Sequence, residues 1–155
     1  MHGLTGRRWQ AEQAAKMIAW VNSRGNYLGL AFCIGHEYDL AYGRIWDYSM
    51  GHKPGEAAVY TAGALIDGLP YQAFDTKDPQ IQAAYFGETF MIWRSDEETG
   101  VWPIRLDHGK SWLLAEVVGR IRELPVDASG VANIPVSASP VYVLARPDYE
   151  RLTRN

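Results

Sequence analysis

Apolar side chains at Ala14, Met17, Ile18 and Val21 recur at the three-and-four spacing of one helical face, which predicts a helix over residues 9–21. Thr5 reads as its cap, and Gly25 closes it. Tyr27-Leu28-Gly29-Leu30-Ala31-Phe32-Cys33-Ile34 is then apolar at nearly every position, the pattern of a strand covered on both faces as in parallel sheets. A second helix starts at Pro54, which suits the first helical position, with Glu56 in the first turn. Ala57, Ala58, Ala62, Leu65 and Ile66 supply its buried stripe, and Gly68 lies past its end.

From Tyr71 the period changes to two, with short strands predicted over residues 83–86, 89–93, 101–106, 112–118 and 121–124. Asp96-Glu97-Glu98-Thr99-Gly100 and Asp107-His108-Gly109 punctuate them. Gly130 then leads into a segment over 131–136, Ser137-Ala138-Ser139-Pro140 breaks the ladder, and Val141-Tyr142-Val143-Leu144 resumes it, which reads as a closing hairpin. Six or seven short strands at this spacing predict an antiparallel β-sandwich. The chain is thus α+β, divided near Leu69-Pro70 into residues 1–69 (helix, strand, loop, helix) and 70–155 (sandwich).

The 155 residues are 47% hydrophobic and 21% charged, with net charge −3, the composition of a soluble globular protein able to bury a core. Scattered Lys and Arg in a mildly acidic chain leave no electrostatic footprint for nucleic acid. Cys33 is the single cysteine, so no internal disulfide or cysteine-rich metal cluster forms. No apolar run reaches the length of a membrane span, and the first eight residues lack the apolar stretch of a signal peptide. The compartment stays open.

Residues 35–51 connect the buried strand to the second helix and carry His36, Glu37, Tyr38, Asp39, Tyr42, Trp46, Asp47 and Tyr48, too many functional groups for a minimal connector. The four histidines, His2, His36, His52 and His108, fall in separate loops without metal-ligand spacing, so no metal site is expected. No glycine pattern cradles a nucleotide, no nucleophile elbow surrounds Ser137 or Ser139, and no cofactor is called for. Trp102 and Trp112 have two readings, a sugar-stacking platform or core, and strand alternation favours core.

The tail from Gly130 through Ile134-Pro135-Val136-Ser137 and Ser139-Pro140-Val141-Tyr142-Val143 resembles the closing strands of the β-sandwich that follows the catalytic barrel in many clan A glycoside hydrolases. The order of elements upstream resembles the end of that barrel. Gln13-Ala14-Ala15 sits within a helix like the family's seventh, and residues 28–34 resemble its eighth strand. His52-Lys53-Pro54-Gly55-Glu56-Ala57-Ala58 resembles the P-K-P-A-x-A opening of its last helix, with His52 and Gly55 as departures. Phe90-Met91-Ile92-Trp93 resembles a sandwich strand that ends in Trp, and Glu116-Val117-Val118-Gly119 a V-x-D-x-x-G turn with its acid displaced. No one motif is specific; the shared order carries the resemblance.

The resemblance implies the terminal βα piece of a (β/α)8 barrel followed by an antiparallel sandwich. It also implies that no catalytic residue lies in this chain. A retaining glycosidase needs two carboxyl groups about 5–5.5 Å apart, and in this clan they end the fourth and seventh strands, upstream of Met1. In an intact barrel His36, Glu37, Tyr38 and Asp39 would line a sugar subsite at the C-terminal ends of the strands; the plainer reading makes the carboxylates solvated or helix-capping, and the third, least favoured, makes Glu37 and Asp39 a catalytic pair of their own.

Two functions follow as expectations: the C-terminal portion of a carbohydrate-acting hydrolase, or a non-catalytic sandwich module binding carbohydrate or a protein. In the first case the helix over residues 5–24 and the strand over 28–34 keep an apolar face with too few partners, and the chain associates with the remainder of a barrel or with itself, whereas a self-contained module buries both completely.

Overall fold

The computed structural model describes residues 3–25, 46–47, 51–52 and 54–154. Helix α1 (Gly3–Ser23) and helix α2 (Pro54–Ile66) frame two short strands, β1 (Trp46–Asp47) and β2 (Gly51–His52), which pair antiparallel. The strand expected at 28–34 lies outside the described residues. Helix α1 already contains Thr5, so the expected cap falls within the helix. Eight further strands follow: β3 (Tyr71–Phe74), β4 (Ile81–Phe86), β5 (Thr89–Arg94), β6 (Gly100–Arg105), β7 (Trp112–Glu116), β8 (Ile121–Leu124), β9 (Val131–Val136) and β10 (Val141–Ala145). A short helix, α3 (Arg146–Leu152), comes after them.

Six of these strands form one antiparallel sheet in the order β3-β4-β5-β10-β7-β8, and β6 pairs with β9 in a separate ribbon. Strict alternation lets both faces of the sheet be buried. Met91, Ala115, Tyr142 and Leu144 point to one side, where they pack with Ala11, Ala15 and Ile18 of α1 and Ala58, Ala62 and Ile66 of α2. Phe90, Ile92, Leu114, Val141 and Val143 point to the other, against Ile104, Ala132, Ile134 and Val136 of the ribbon. Every residue of β10 is buried, because this strand is central in the sheet and covered on both faces.

The closing hairpin is not formed. β9 pairs with β6, whereas β10 inserts between β5 and β7. Ser137-Ala138-Ser139-Pro140 carries the chain from one layer to the other, and Pro135 and Pro140 each lack an N–H for a shared ladder. The turn before β9 is as expected. Gly130 adopts φ 80°, and a Cβ there would stand 3.1 Å from the Leu106 carbonyl oxygen, so glycine is required. Asp127 completes this turn: its Oδ1 accepts the Ser129 N–H at 2.8 Å and the Val131 N–H at 2.9 Å. Hydrogen bonds from the Ser129 hydroxyl and from the backbone hold its carboxyl below the usual aspartate range.

Candidate functional site

The residues expected to line a sugar subsite, His36, Glu37, Tyr38 and Asp39, lie outside the described residues. The far end of the same connector is seen as the β1–β2 pair, with Trp46 opposite His52 and Asp47 opposite Gly51. It hands the chain to α2 at Pro54. Among the described residues no group of three His, Cys, Asp or Glu could hold a metal ion, and no helix is long and apolar enough to cross a membrane.

Two concavities flank α1. The larger, about 610 Å³, opens beside the start of α1 and is walled by Ala11, Val117, Val136 and Val141, with Arg8, Glu116 and Arg122 supplying charge. At its rim Glu12 is buried, and its Oε1 accepts a hydrogen bond from Arg8 Nε at 2.9 Å and another from the Ser139 hydroxyl. Arg8 Nε also reaches Ser139 Oγ at 3.2 Å. The cluster ties one turn of α1 to the crossover between β9 and β10, a contact across more than a hundred residues of sequence. Arg8 and Glu12 are one helical turn apart, so their pairing is readable from spacing. Ser139 was readable only as a turn residue, because its partner is remote in sequence.

Glu12→Gln, which keeps the shape but removes the charge that strengthens both bonds, is expected to cost about 1 kcal/mol of stability. A chemical denaturation midpoint identical to that of the unaltered chain would show that the cluster contributes nothing.

The second concavity, about 410 Å³, lies between the C-terminal half of α1 and strands β3–β5, with Trp20, Tyr71, Phe86 and Trp93 as walls and Lys16 and Gln82 as polar members. Partial burial lowers the pKa of Lys16, an effect the nearby Glu12 charge partly offsets. Tyr71 packs tilted on Phe86 with ring centroids 5.6 Å apart. Trp102 and Trp112, by contrast, pack partly buried against the core between sheet and ribbon, and the Trp112 indole N–H donates to the Asp107 carbonyl at 2.8 Å. Both thus sit at the margin of that core.

Large apolar side chains also stand exposed on both helices. They are Trp9, Met17 and Trp20 on α1 and Tyr60 on α2. The inward side of α1 is made of Ala11, Ala14, Ala15, Ile18 and Ala19. Small residues let the helix approach the sheet, while Met17 and Trp20 stand at its edge, over the second concavity.

No protein-family model matches the chain, and no curated protein matches it. Among solved structures, a family 39 glycoside hydrolase from the gut symbiont Bacteroides cellulosilyticus WH2 matches 88% of this chain at a TM-score of 0.68 and 15% sequence identity. The chain spans only 30% of that enzyme's length. Two further matches are a family 30 subfamily 8 xylanase from Clostridium acetobutylicum (TM-score 0.47, 10% identity, 87% of this chain and 39% of that one) and an Anoxybacillus α-amylase (TM-score 0.45, 16% identity, 86% and 32%). In fold, the chain is similar to a part of the family 39 glycoside hydrolase, an α+β unit of helices on an antiparallel sheet.

Proposed function

We propose that this chain is the C-terminal portion of a glycoside hydrolase-like protein acting on carbohydrate, and that it does not itself hold the catalytic carboxylate pair. The observation that carries the reading is the fold match over 88% of the chain to an enzyme of which it spans 30%. Helices α1 and α2 then correspond to the end of a barrel (residues 1–69), and residues 70–155 to the sandwich that supports it. In that arrangement His36, Glu37, Tyr38 and Asp39 line a sugar subsite through carboxylate hydrogen bonds and ring stacking, without taking part in bond cleavage.

Hydrolysis needs an acid and a nucleophile held together, and one carboxylate cannot fill both roles. The purified chain is accordingly expected to show no turnover of aryl glycosides above background. Measurable turnover that Glu37→Gln abolishes would place the chemistry within this chain and overturn the reading.

A further inference from the structure

We propose that the concavity between the C-terminal half of α1 and strands β3–β5 binds an acidic glycan, a chain of pyranose rings bearing carboxylates. Sugar rings stack on Trp20 and Tyr71, and a carboxylate meets Lys16. The walls of the concavity carry this assignment independently of the function proposed above, and none of residues 36–39 takes part in it. Small side chains make the floor: Ala19 of α1 is 4% exposed and Ala84 of β4 5%, and both line the space. Large rings stand around them. On the sheet, register sets Tyr71 opposite Phe86 and Gln82 opposite Trp93, and alternation along β4 puts Gln82, Ala84 and Phe86 on one face.

The make-up of the walls selects the class of ligand. Val117, Val136 and Val141 line the larger concavity, whereas no Val, Leu or Ile lines this one, whose apolar surface comes from aromatic rings, alanines and Met17. A helical peptide docking through aliphatic side chains suits aliphatic walls. Flat rings suit the C–H faces of a pyranose, which keeps its hydroxyls at the edge. Both stacking rings are open, Trp20 at 60% exposure and Tyr71 at 42%, and both are held. The Arg24 guanidinium sits 5.5 Å over the Trp20 ring without lining the concavity, so it steadies one face and leaves the other free. Tyr71 leans on Phe86. Gln82 donates its Nε2 hydrogen to the Pro79 carbonyl at 3.2 Å, which leaves Oε1 to accept from a sugar hydroxyl. The volume, about 410 Å³, falls within the roughly 300–1,000 Å³ of small-molecule sites.

Charge selects an acid among sugars. No Asp or Glu lines the concavity, while Lys16 does, partly buried. Its ammonium makes no hydrogen bond or ion pair among the described residues, because Glu12, the acid whose charge it feels, is engaged by Arg8 and Ser139. A cation that has lost part of its hydration without gaining a counter-ion is destabilised, and a ligand carboxylate supplies that counter-ion through a charge-assisted hydrogen bond. Lys16 and Arg24 also repel the quaternary ammonium ligands that aromatic walls otherwise favour.

The test is calorimetric titration of the full chain with hexagalacturonate and, as its uncharged counterpart, cellohexaose. Hexagalacturonate is expected to bind at least tenfold more tightly, and Lys16→Met to abolish that preference. Trp20→Ala is expected to weaken hexagalacturonate binding at least tenfold, with most of the affinity restored in Trp20→Phe. Trp9, also exposed on α1, does not line the concavity, so Trp9→Ala is expected to change nothing. Should Trp20→Ala melt early, Tyr71→Ala on the edge strand reads the same site and is expected to weaken binding at least tenfold. Failure of both hexasaccharides to bind, equal or tighter binding of cellohexaose, binding indifferent to Lys16→Met and to the ring substitutions, or tighter binding of adenosine monophosphate through the same residues would each overturn the proposal. Binding as expected in a chain whose upstream coding sequence holds no barrel strands would sink the function proposed above and leave this site standing.

Discussion

Phe90→Ala is expected to remove about 3–5 kcal/mol of stability, a large share of the roughly 5–15 kcal/mol that a domain has. Phe90 is almost wholly buried on β5, on the sheet face that meets the ribbon. Its ring stands edge-on to Phe74 at 5.2 Å and tilted against Tyr85 at 4.8 Å, while Phe74 and Tyr85 touch each other at 5.9 Å. Three rings in mutual contact lose two of their three contacts when Phe90 goes, and the cavity sits between sheet and ribbon, where neither side can close without sliding past the other. Guanidinium unfolding is the measurement: a lower midpoint with an unchanged slope is expected. A loss under 1 kcal/mol would mean that the ribbon is free to settle onto the sheet.

Tyr142→Phe is expected to act in the opposite direction. The Tyr142 side chain is fully buried in the middle of β10, and its hydroxyl has no hydrogen-bond partner among the described residues. A hydroxyl taken out of water without a partner costs about 1–3 kcal/mol, and phenylalanine keeps the ring while relieving that cost. Burial also raises the Tyr142 pKa well above its ordinary value near 10. The folded chain therefore keeps the proton where the unfolded chain loses it. Ionisation of this group leaves stability untouched below pH ~10, and stability falls as pH rises from there toward the folded value. Melting curves of the two proteins are expected to differ in favour of phenylalanine at neutral pH, and by more at pH 11. A variant that melts lower at both values would mean that the hydroxyl is engaged.

Several elements were legible because one physical signal dominates each. Helix α2 announces itself by Pro54 at its start, an alanine-rich stripe and Gly68 after its end; strands β5 and β7 by short apolar and aromatic runs and β9 by alternation; the turn before β9 by Gly130. Strand β3 was not legible, since it is a sheet edge whose first three residues are exposed and so carry no alternation. Helix α3 was missed for a similar reason: it buries none of its residues fully, and only Tyr149 and Leu152 touch the core. The misplaced hairpin is the more instructive case. A strand burying every residue cannot be the outer member of a terminal pair, and the uninterrupted apolar run Val141-Tyr142-Val143-Leu144 already held that information. Of the candidate site, Arg8 and Glu12 share a helix and were within reach of spacing rules, whereas Ser139 joins them only through tertiary packing.

The placement of β10 also governs when the chain can acquire its structure during synthesis. Strands β3, β4 and β5 form one half of the large sheet and β7 and β8 the other, and among the described strands β10 is the one hydrogen-bonded to both. It leaves the ribosome after the other nine described strands. Until residues 141–145 emerge, the nascent chain has two separate β fragments with raw edges, at β5 and at β7, and a helical pair with half a floor beneath it. Closure of this sheet on the ribosome therefore waits for β10, and translation that halts before residue 141 would release an aggregation-prone product rather than a smaller folded one.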